Sequence, residues 1–549
     1  MSTVSAAIAH ALKPVAPQIF GLMGNGNAHF LDAAVRSGFT YTAVRHESAA
    51  VSAADAYYRI SNSLAIASTT YGAGFTNTVT ALAEAVAAHV PLLFVTGDAP
   101  STGRRPWDVD QSAIDAAVGA TTYVVDAQNP GATALRAAAH ALRERTAVVL
   151  AIPYDLAAAE TTEQADLDFA DFNSTPPAPE LNATQRAHIA SVLASAQRPH
   201  ILYGRGALEA ARGVAALADR LGATSSGTLL ARDMLTRTGE LGITGGFSTA
   251  KNAEIIAQAD VVLVLGASLN QFTTRFGDLF GAQSTVIQVD LAAQATHPRV
   301  DYFATADISL TSTALLAELG EGTGDWNQRV DLSGLRDRPA GDEVAGDGLL
   351  DPRRVASELE QILPQNRVLV QDGGHFIGWG PMYWSTSDAR ALTCVGTAVQ
   401  SIGLGTASMI GAGAAAAGRT VVLAAGDGGF LMGLADLESI VRTVASGVIV
   451  IYNDSAYGAE IHQYGSIGLH EDPMLIPTVD FAALGRALGA QAVTARELGD
   501  LDPVRQWVQQ GARGVMLVDA RVSATVRAPY MEEILAANAR AAQRSGAGK

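Results

Sequence analysis

GDGGFLMGLADLESIVRTVASGVIVIYNDSAYG, which runs from Gly426 to Gly458, is the stretch of sequence that decides the fold. An apolar run of strand composition precedes its Gly-Asp-Gly turn, and a second one leads into Asn453 and Asp454. Five apolar residues between the two runs recur at helical spacing: Leu431, Leu434, Leu437, Val441 and Val444. This pattern predicts one helix between two buried parallel strands. Because parallel strands end at the same edge of a sheet, where ligands bind, we expect the turn and the Asn-Asp pair to converge.

The turn itself has the composition of a phosphate site. Gly426, Gly428 and Gly429 leave the backbone free to approach a phosphate, and a helix N-terminus is predicted to follow them. Asp427 would repel a phosphate unless a divalent cation lay between them, and Mg²⁺ prefers carboxylates, carbonyls and phosphate oxygens. The sequence therefore predicts a metal-bridged diphosphate site, although the turn taken alone fits a solvated aspartate equally well.

Composition restricts the class of protein. The chain has 549 residues, of which 48% are hydrophobic, so about three domains with large cores are expected. Its formal charge is −17 and it has no long run of Lys or Arg, which argues against a nucleic-acid partner. The single cysteine, Cys394, excludes an internal disulfide framework. The sequence shows neither a signal peptide nor a bulky apolar span, so we expect a cytoplasmic protein without a membrane partner.

Short apolar strands alternate with helical segments nearly throughout, as in parallel α/β sheets. We predict three doubly wound parallel-sheet domains, at residues 1–160, 185–325 and 350–530. An acidic, Pro-rich stretch from Glu160 to Asn182 and a polar stretch at residues 320–348 are predicted linkers. A helix is predicted near the C-terminus.

The Gly-Asp-Gly turn followed by an Asn-Asp pair at a strand end resembles the cofactor motif of thiamine diphosphate enzymes. The resemblance is closest to the acetohydroxyacid (acetolactate) synthase and pyruvate decarboxylase group, and it covers essentially the whole chain. It implies a pyrimidine-binding, a central and a diphosphate-binding domain, with thiamine diphosphate and Mg²⁺ as cofactors. Asp427, Asp454 and the Ala456 carbonyl are the implied metal ligands, and Gly428 and Gly429 would lie beside the diphosphate.

The resemblance implies further cofactor contacts. Glu47 begins a helix right after a strand, where the family has a glutamate that meets the aminopyrimidine ring and activates the cofactor. By position alone, Glu47 also fits a favourable contact with a helix dipole. Ile402 would hold the cofactor bent, and the Gln400 carbonyl would accept a hydrogen bond from the aminopyrimidine. Gly374 and His375 resemble the loop at the diphosphate end.

Signals for the reaction disagree. The resemblance implies that Asn25 holds a substrate carboxylate and that Gln111 bonds to a bound oxygen or product. Glu460 lies six residues after Asp454, where the decarboxylase branch has a catalytic glutamate that handles protons. That branch has a His-His pair where this chain has Asp110 and Gln111, and the glutamine is closer to the synthase branch.

The leading hypothesis is decarboxylation of a 2-keto acid, with pyruvate as the favoured substrate, followed by carboligation to a second carbonyl compound, as in acetolactate synthase. The alternative is a simple 2-keto acid decarboxylase that releases an aldehyde. A binding protein that lost its chemistry and a nucleotide-binding oxidoreductase are further alternatives. FAD stays open but unsupported, because Ser-Leu-Asn-Gln at residues 268–271 replaces the Arg-Phe-Asp-Asp usual in the synthase branch. The resemblance also implies a homo-oligomer, with a dimer as the minimum and a tetramer as the common form.

Overall fold

The computed structural model describes residues 2–163, 166–174, 177–322 and 324–546. Three six-stranded parallel sheets follow one another along the chain, each flanked by helices. The predicted fold class, three doubly wound parallel-sheet domains, is confirmed. Within the described ranges, no helix is both long enough and apolar enough to cross a membrane.

The first domain carries the N-terminal sheet, in the order β3-β2-β4-β5-β7-β6. Its strands are β1 (Ser2–Thr3), β2 (Gln18–Gly21), β3 (Thr40–Ala43), β4 (Ala65–Thr69), β5 (Leu92–Asp98), β6 (Thr121–Val124), β7 (Ala147–Pro153) and β8 (Glu160–Thr161). Its helices are α1 (Val4–Leu12), α2 (Ala28–Arg36), α3 (Glu47–Ser61), α4 (Ala73–Thr76), α5 (Val79–Ala87), α6 (Gln111–Ala117) and α7 (Pro130–Glu144). Because β8 pairs antiparallel with β1, the predicted linker begins with residues that belong to this domain. Residues 164–165 and 175–176 of that linker lie outside the described residues.

The second domain carries a sheet in the order β11-β10-β9-β12-β13-β14. Its strands are β9 (Pro199–Tyr203), β10 (Thr224–Gly227), β11 (Glu240–Ile243), β12 (Val261–Leu265), β13 (Thr285–Asp290) and β14 (Tyr302–Thr305). Its helices are α8 (Ala183–Ser195), α9 (Ala211–Arg220), α10 (Ala250–Ala257) and α11 (Ile308–Glu318), followed by α12 (Trp326–Arg329) within the second predicted linker.

The third domain carries a sheet in the order β16-β15-β17-β18-β20-β19. Its strands are β15 (Arg367–Gln371), β16 (Leu392–Thr393), β17 (Thr420–Gly426), β18 (Ser446–Asn453), β19 (Gln491–Ala495) and β20 (Gly514–Arg521). Its helices are α13 (Pro352–Ile362), α14 (Trp379–Tyr383), α15 (Gly405–Ala415), α16 (Asp427–Met432), α17 (Leu437–Thr443), α18 (Gly458–Gln463), α19 (Phe481–Ala487), α20 (Asp502–Gln509) and α21 (Pro529–Gly546).

The connection between β17 and β18 is not one helix, so that part of the prediction is wrong. The two strands do pair in parallel, but α16 ends at Met432 and α17 begins only at Leu437. Gly433 lies at the break, where an added methyl group would lie 2.8 Å from both the Gly403 carbonyl oxygen and Thr406 Oγ1. The close approach of these residues interrupts the helix, and a 3₁₀ turn bridges the gap.

Helices α3 and α15 join the first domain to the third. A methyl group built on Gly411 would lie 1.9 Å from the Ala53 carbonyl oxygen, so the two backbones are in direct contact. Ala56, later in α3, packs with Leu404 just before α15. The two helices therefore run in opposite directions, and their small residues allow close packing.

A buried carboxylate anchors a loop across the same boundary. Glu84 on α5 is fully buried and accepts hydrogen bonds from the backbone N–H groups of Ala398 (2.8 Å) and Val399 (3.0 Å). Arg59 on α3 pairs with the same carboxylate at 3.3 Å. The first domain thus fixes the loop that leads into Gln400.

His200 in β9 is buried in the second domain with both ring nitrogens bonded. Its Nδ1 lies 2.9 Å from Thr224 Oγ1 and its Nε2 lies 2.8 Å from Ser226 Oγ. Burial lowers the pKa of His200 from 6.5 to about 3. Between pH 6.5 and pH 3, His200 is protonated in the unfolded chain but neutral in the folded protein. The free energy of unfolding therefore decreases as the pH falls through this range.

We expect the variant His200→Gln to weaken this pH dependence. Between pH 7.5 and pH 5 the free energy of unfolding of the wild type should fall by about 2 kcal/mol more than that of the variant, since one pKa unit is worth about 1.4 kcal/mol. Urea unfolding of both proteins at the two pH values measures this difference. Parallel losses of stability in the two proteins would contradict the assignment.

Candidate active site

Loops of the third domain meet at the carboxyl edge of its sheet. They are residues 372–375, 400–405, 426–429 and 454–458. A methyl group built on Gly458 would lie 2.8 Å from Asp454 Oδ2 and 3.2 Å from His375 Nδ1. Chain segments that are far apart in sequence therefore converge here, as expected for strands that end at one edge of a sheet.

Two carboxylates face each other in this site. Asp427 begins α16 and is only 2% exposed, and Asp454 follows β18. Oδ1 of Asp427 and Oδ2 of Asp454 are buried without a hydrogen-bond partner among the described residues. Burial raises the pKa of Asp427 to about 6. Burial, together with the Asp427 charge, raises the pKa of Asp454 well above its ordinary value. Such a pair can stay charged only if a cation compensates it.

The donor set around the pair suits Mg²⁺. The Ala456 carbonyl accepts no backbone hydrogen bond within the described ranges, and Ser455 holds a positive φ of 57° that turns the chain between the two predicted ligands. No group of three or more His, Cys, Asp or Glu side chains in the described part of the chain could hold a metal. Two carboxylates and a carbonyl, completed by phosphate oxygens, are a set typical of Mg²⁺ and unlike the His and Cys sets of zinc.

Asp372 is a site residue that sequence reasoning misses. It is fully buried after β15, and its carboxylate accepts hydrogen bonds from the backbone N–H groups of Gly403 (3.0 Å) and Gly405 (3.3 Å). A methyl group on Gly429 would lie 2.4 Å from Asp372 Oδ2. Burial raises the pKa of Asp372 to about 6. Asp372 holds two of the loops together, and its place directly after a buried strand is the signal that would have indicated it.

Ile402 and Gln400 lie where the loops meet. Methyl groups built on Gly373 and Gly429 would lie 3.1 Å and 3.0 Å from the Ile402 side chain, so Ile402 packs between two glycine turns. Gln400 is exposed and adopts a left-handed conformation, with φ of 58°. For a residue other than glycine this conformation costs about 1–3 kcal/mol and is common at functional sites. The loop anchored by Glu84 holds it in place.

His375 lies beside a second histidine, His462, which was not predicted. The two buried rings are 4.7 Å apart and meet edge to face. The backbone N–H of Ala528 donates to His375 Nε2 at 3.1 Å, and Tyr530 Oη donates to the His375 carbonyl. Burial, with His462 and Arg527 nearby, lowers the pKa of His375 to about 3. No sequence pattern marks His462.

Glu47 lies apart from these loops within one chain. Its Oε2 accepts a hydrogen bond from Asn77 Nδ2 at 3.0 Å, inside the first domain. The backbone N–H of Arg45 donates to Asp436 Oδ1 at 2.8 Å, which fixes the start of α3 against the third domain. Because α3 and α15 are antiparallel, Glu47 is at the end of the contact opposite to Ile402. A single chain does not bring the predicted catalytic glutamate to the diphosphate edge.

Asn25 and Gln111 differ in how free they are to bind a ligand. Gln111 is 4% exposed, and its Oε1 accepts from the Gly72 N–H (2.8 Å) while its Nε2 donates to the Gly97 carbonyl (2.9 Å). Both ends of this amide support the backbone, so the geometry does not favour the predicted ligand contact. Asn25 is exposed, and its Nδ2 donates to Tyr71 Oη at 3.0 Å.

Glu460 lies on α18 and is half-buried. Its carboxylate forms no ion pair and no hydrogen bond with another side chain in the described ranges. The roles assigned to Glu460, Glu47, Asn25 and Gln111 stay predictions.

Family models match this chain in three consecutive parts. The N-terminal TPP binding domain of thiamine pyrophosphate enzymes matches residues 2–118, their central domain matches residues 186–315, and their C-terminal TPP binding domain matches residues 372–520. The chain belongs to the thiamine diphosphate enzymes. The predicted family is thereby confirmed, and the converging loops lie within the part that matches the C-terminal model.

Relatives of this thiamine diphosphate enzyme differ in their reactions. It is 27% identical to a sulfoacetaldehyde acetyltransferase of Rhodobacter capsulatus, over 94% of this chain and 93% of the relative. It is 26% identical to a probable 2-ketoarginine decarboxylase of Pseudomonas aeruginosa, over 92% of this chain and 91% of the relative. It is also 26% identical to an acetolactate synthase large subunit of Parasynechococcus marenigrum, over 87% and 81% of the two chains.

A solved structure shows the same fold. The thiamine diphosphate-dependent 4-hydroxybenzoylformate decarboxylase of Rhodococcus jostii matches with a TM-score of 0.78 at 20% identity, over 95% of this chain and 99% of that chain. The likeness extends over all three domains.

Proposed function

We propose that this enzyme holds thiamine diphosphate through Mg²⁺ and decarboxylates a short 2-keto acid, with pyruvate as the leading candidate substrate. The enzyme then joins the resulting acyl unit to a second carbonyl compound. The observation that carries the proposal is the buried pair Asp427 and Asp454, whose unpartnered oxygens lie beside a glycine turn. A divalent cation between this pair and a diphosphate would compensate both charges. The acetyltransferase and acetolactate synthase relatives support acyl transfer as the second half of the reaction.

The residues of the third domain would bind and orient the cofactor. Thiamine diphosphate supplies, when bound, the nucleophilic carbon and the electron sink for decarboxylation. Asp427, Asp454 and the Ala456 carbonyl would hold Mg²⁺, and the Gly428 and Gly429 backbone would leave room for the diphosphate.

Other residues would act on the rings of the cofactor. Ile402 would pack against the rings of the cofactor, and the Gln400 carbonyl would accept a hydrogen bond from the ring amine. Glu47 would form a hydrogen bond with a ring nitrogen and exchange a proton with it. Because Glu47 is remote from these loops in its own chain, a second subunit would supply it. The active unit is therefore at least a homodimer, and we propose a tetramer of two such pairs.

Simple decarboxylation is the second candidate, and Glu460 is the observation that favours it. Release of an aldehyde requires a proton donor beside the cofactor, and a carboxylic acid without other partners can serve. Carboligation instead requires that a second carbonyl compound arrive before the proton does.

Product analysis of the cofactor-loaded enzyme tests the proposal. We expect pyruvate to give acetolactate, or a mixed 2-hydroxyketone when an aldehyde is added. Glu460→Gln should lower any aldehyde release by about a hundredfold or more and leave ligation close to wild type, since general acid catalysis contributes about 10²–10⁴-fold. Glu471→Gln, a nearby exposed change, serves as the control.

Two outcomes would contradict the proposal. Aldehyde as the sole product would favour the decarboxylase candidate. No consumption of pyruvate by loaded enzyme would exclude pyruvate as the donor. Sulfoacetaldehyde belongs in the same panel, because the R. capsulatus relative is a sulfoacetaldehyde acetyltransferase.

A further inference from the structure

The segment just before α21 contacts both buried histidines of the site. The Ala528 N–H donates to His375 Nε2 at 3.1 Å, and Arg527 Nε donates to His462 Nδ1 at 3.4 Å. Tyr530 Oη, in the first turn of α21, bonds to the His375 carbonyl. Both imidazoles are 4% exposed. The segment therefore contacts each ring at one nitrogen only.

These contacts determine which nitrogen of each ring carries hydrogen. A backbone N–H and a guanidinium Nε–H can only donate, so the nitrogen that receives each bond must be an acceptor. A neutral imidazole then carries its hydrogen on the other nitrogen. For His375 this is Nδ1, and for His462 it is Nε2. Both of these nitrogens are buried and have no partner among the described residues.

The unpartnered hydrogen of His375 faces the predicted diphosphate end. A methyl group built on Gly458 would lie 3.2 Å from His375 Nδ1 and 2.8 Å from Asp454 Oδ2, so the imidazole and the carboxylate flank the same small space. His462 lies against His375, with the ring centres 4.7 Å apart. One unused N–H donor beside a predicted metal ligand, with a second on the adjoining ring, is an arrangement suited to an anion with several acceptor oxygens.

We propose that Arg527 and Ala528 are positioning residues that fix the tautomers of His462 and His375, so that both rings donate hydrogen bonds to the diphosphate of the cofactor. This inference rests on the proposed binding of thiamine diphosphate and is independent of the substrate. It assigns a function to the C-terminal segment and to His462.

Amide substitutions distinguish the two tautomers. The side-chain nitrogen of asparagine is placed like Nδ1 of histidine, and that of glutamine is placed like Nε2. We therefore expect His375→Asn to keep most of the affinity for thiamine diphosphate with Mg²⁺, and His375→Gln to lose it. The order reverses at the second ring, where His462→Gln should be tolerated and His462→Asn should not. Each loss should be about tenfold to a hundredfold in Kd, as for a hydrogen bond to a charged group.

The measurement is titration calorimetry of thiamine diphosphate into each cofactor-free protein in the presence of Mg²⁺. Arg527→Met should weaken binding because it releases the His462 tautomer. His470→Asn and His470→Gln, at a histidine whose side chain is 79% exposed, should bind like the wild type. Circular dichroism and thermal unfolding of each cofactor-free variant separate lost binding from lost folding.

The inference is tested by the opposite order of affinities at the two rings: Asn should bind better than Gln at position 375, and Gln better than Asn at position 462. Equal losses for Asn and Gln at either ring, in folded protein, would overturn it and leave the proposed function intact. Failure of the wild type to bind thiamine diphosphate would overturn both.

Discussion

Replacement of Asp427 by asparagine is expected to abolish Mg²⁺-dependent binding of thiamine diphosphate and, at the same time, to stabilise the cofactor-free protein. Without a cation the charged, buried carboxylate destabilises the folded protein, because burial disfavours the charge and raises the pKa to about 6. A carboxyl group with a raised pKa destabilises the fold increasingly as the pH rises from its ordinary pKa of 3.8, and the loss of stability is complete above about pH 6. At pH 8 the variant should therefore be more stable by about 3 kcal/mol, and the gain should shrink as the pH falls below about 6 and vanish near pH 3.

With Mg²⁺ and thiamine diphosphate present, the order of stability reverses. The affinity of the variant should fall by more than about a hundredfold, since even residues that only support metal ligands cost about ten- to a hundredfold. Calorimetry and urea unfolding, each with and without cofactor, measure both effects.

The control for Asp427 is Asp115→Asn. Asp115 is buried in the first domain, and burial raises its pKa to about 6 as well. This change should stabilise the protein at pH 8 without altering cofactor affinity. If Asp427→Asn bound the cofactor like the wild type, Asp427 would not be a metal ligand.

Glu47→Gln is expected to lower kcat by about 10²–10⁴-fold while the Kd for thiamine diphosphate changes little. The glutamine keeps the size of the side chain and can still bond to Asn77, but it cannot exchange a proton. Steady-state kinetics and calorimetry on the same preparation separate the two effects. Unchanged turnover would remove Glu47 from the mechanism.

A mixture of two inactive variants tests where Glu47 acts. A dimer has two active sites, and if they are shared, each site takes Glu47 from one subunit and Asp427 from the other. In a heterodimer of Glu47→Gln and Asp427→Asn chains, one site would then contain both substitutions and the other site would contain neither. Random exchange makes about half of the dimers mixed, so about a quarter of wild-type activity should return. Each variant alone and a mixture without subunit exchange provide the baselines. No recovery after exchange would mean that Glu47 acts within its own chain.

The fold and the convergence of Asp427 with Asp454 could be predicted because their signals are local. Continuous apolar runs before Gly426 and Asn453 predict buried parallel strands, and parallel strands place their carboxyl ends together. The break at Gly433 could not be predicted, because apolar spacing continues through it and only packing against Gly403 and Thr406 interrupts the helix.

Other site residues depend on contacts that no local pattern encodes. Ala528 and His375 are 153 residues apart, and their hydrogen bond exists only because the C-terminal segment returns to the carboxyl edge of the third sheet. His462 is likewise a site residue only through its neighbours. The separation of Glu47 from the third-domain loops depends on how α3 packs against α15. The sequence of either helix alone does not indicate this packing.

The contact between Gly411 and Ala53 limits how this enzyme can be recombined with its relatives. The carbonyl of one helix occupies the space that any side chain at Gly411 would need, so each helix is shaped to its present neighbour. A chimaera with a crossover in the central domain would draw α3 from one parent and α15 from the other. Such a crossover leaves the first and third sheets intact, yet it pairs helices that were never selected together. Functional hybrids should instead exchange the central domain alone and inherit both helices from a single parent.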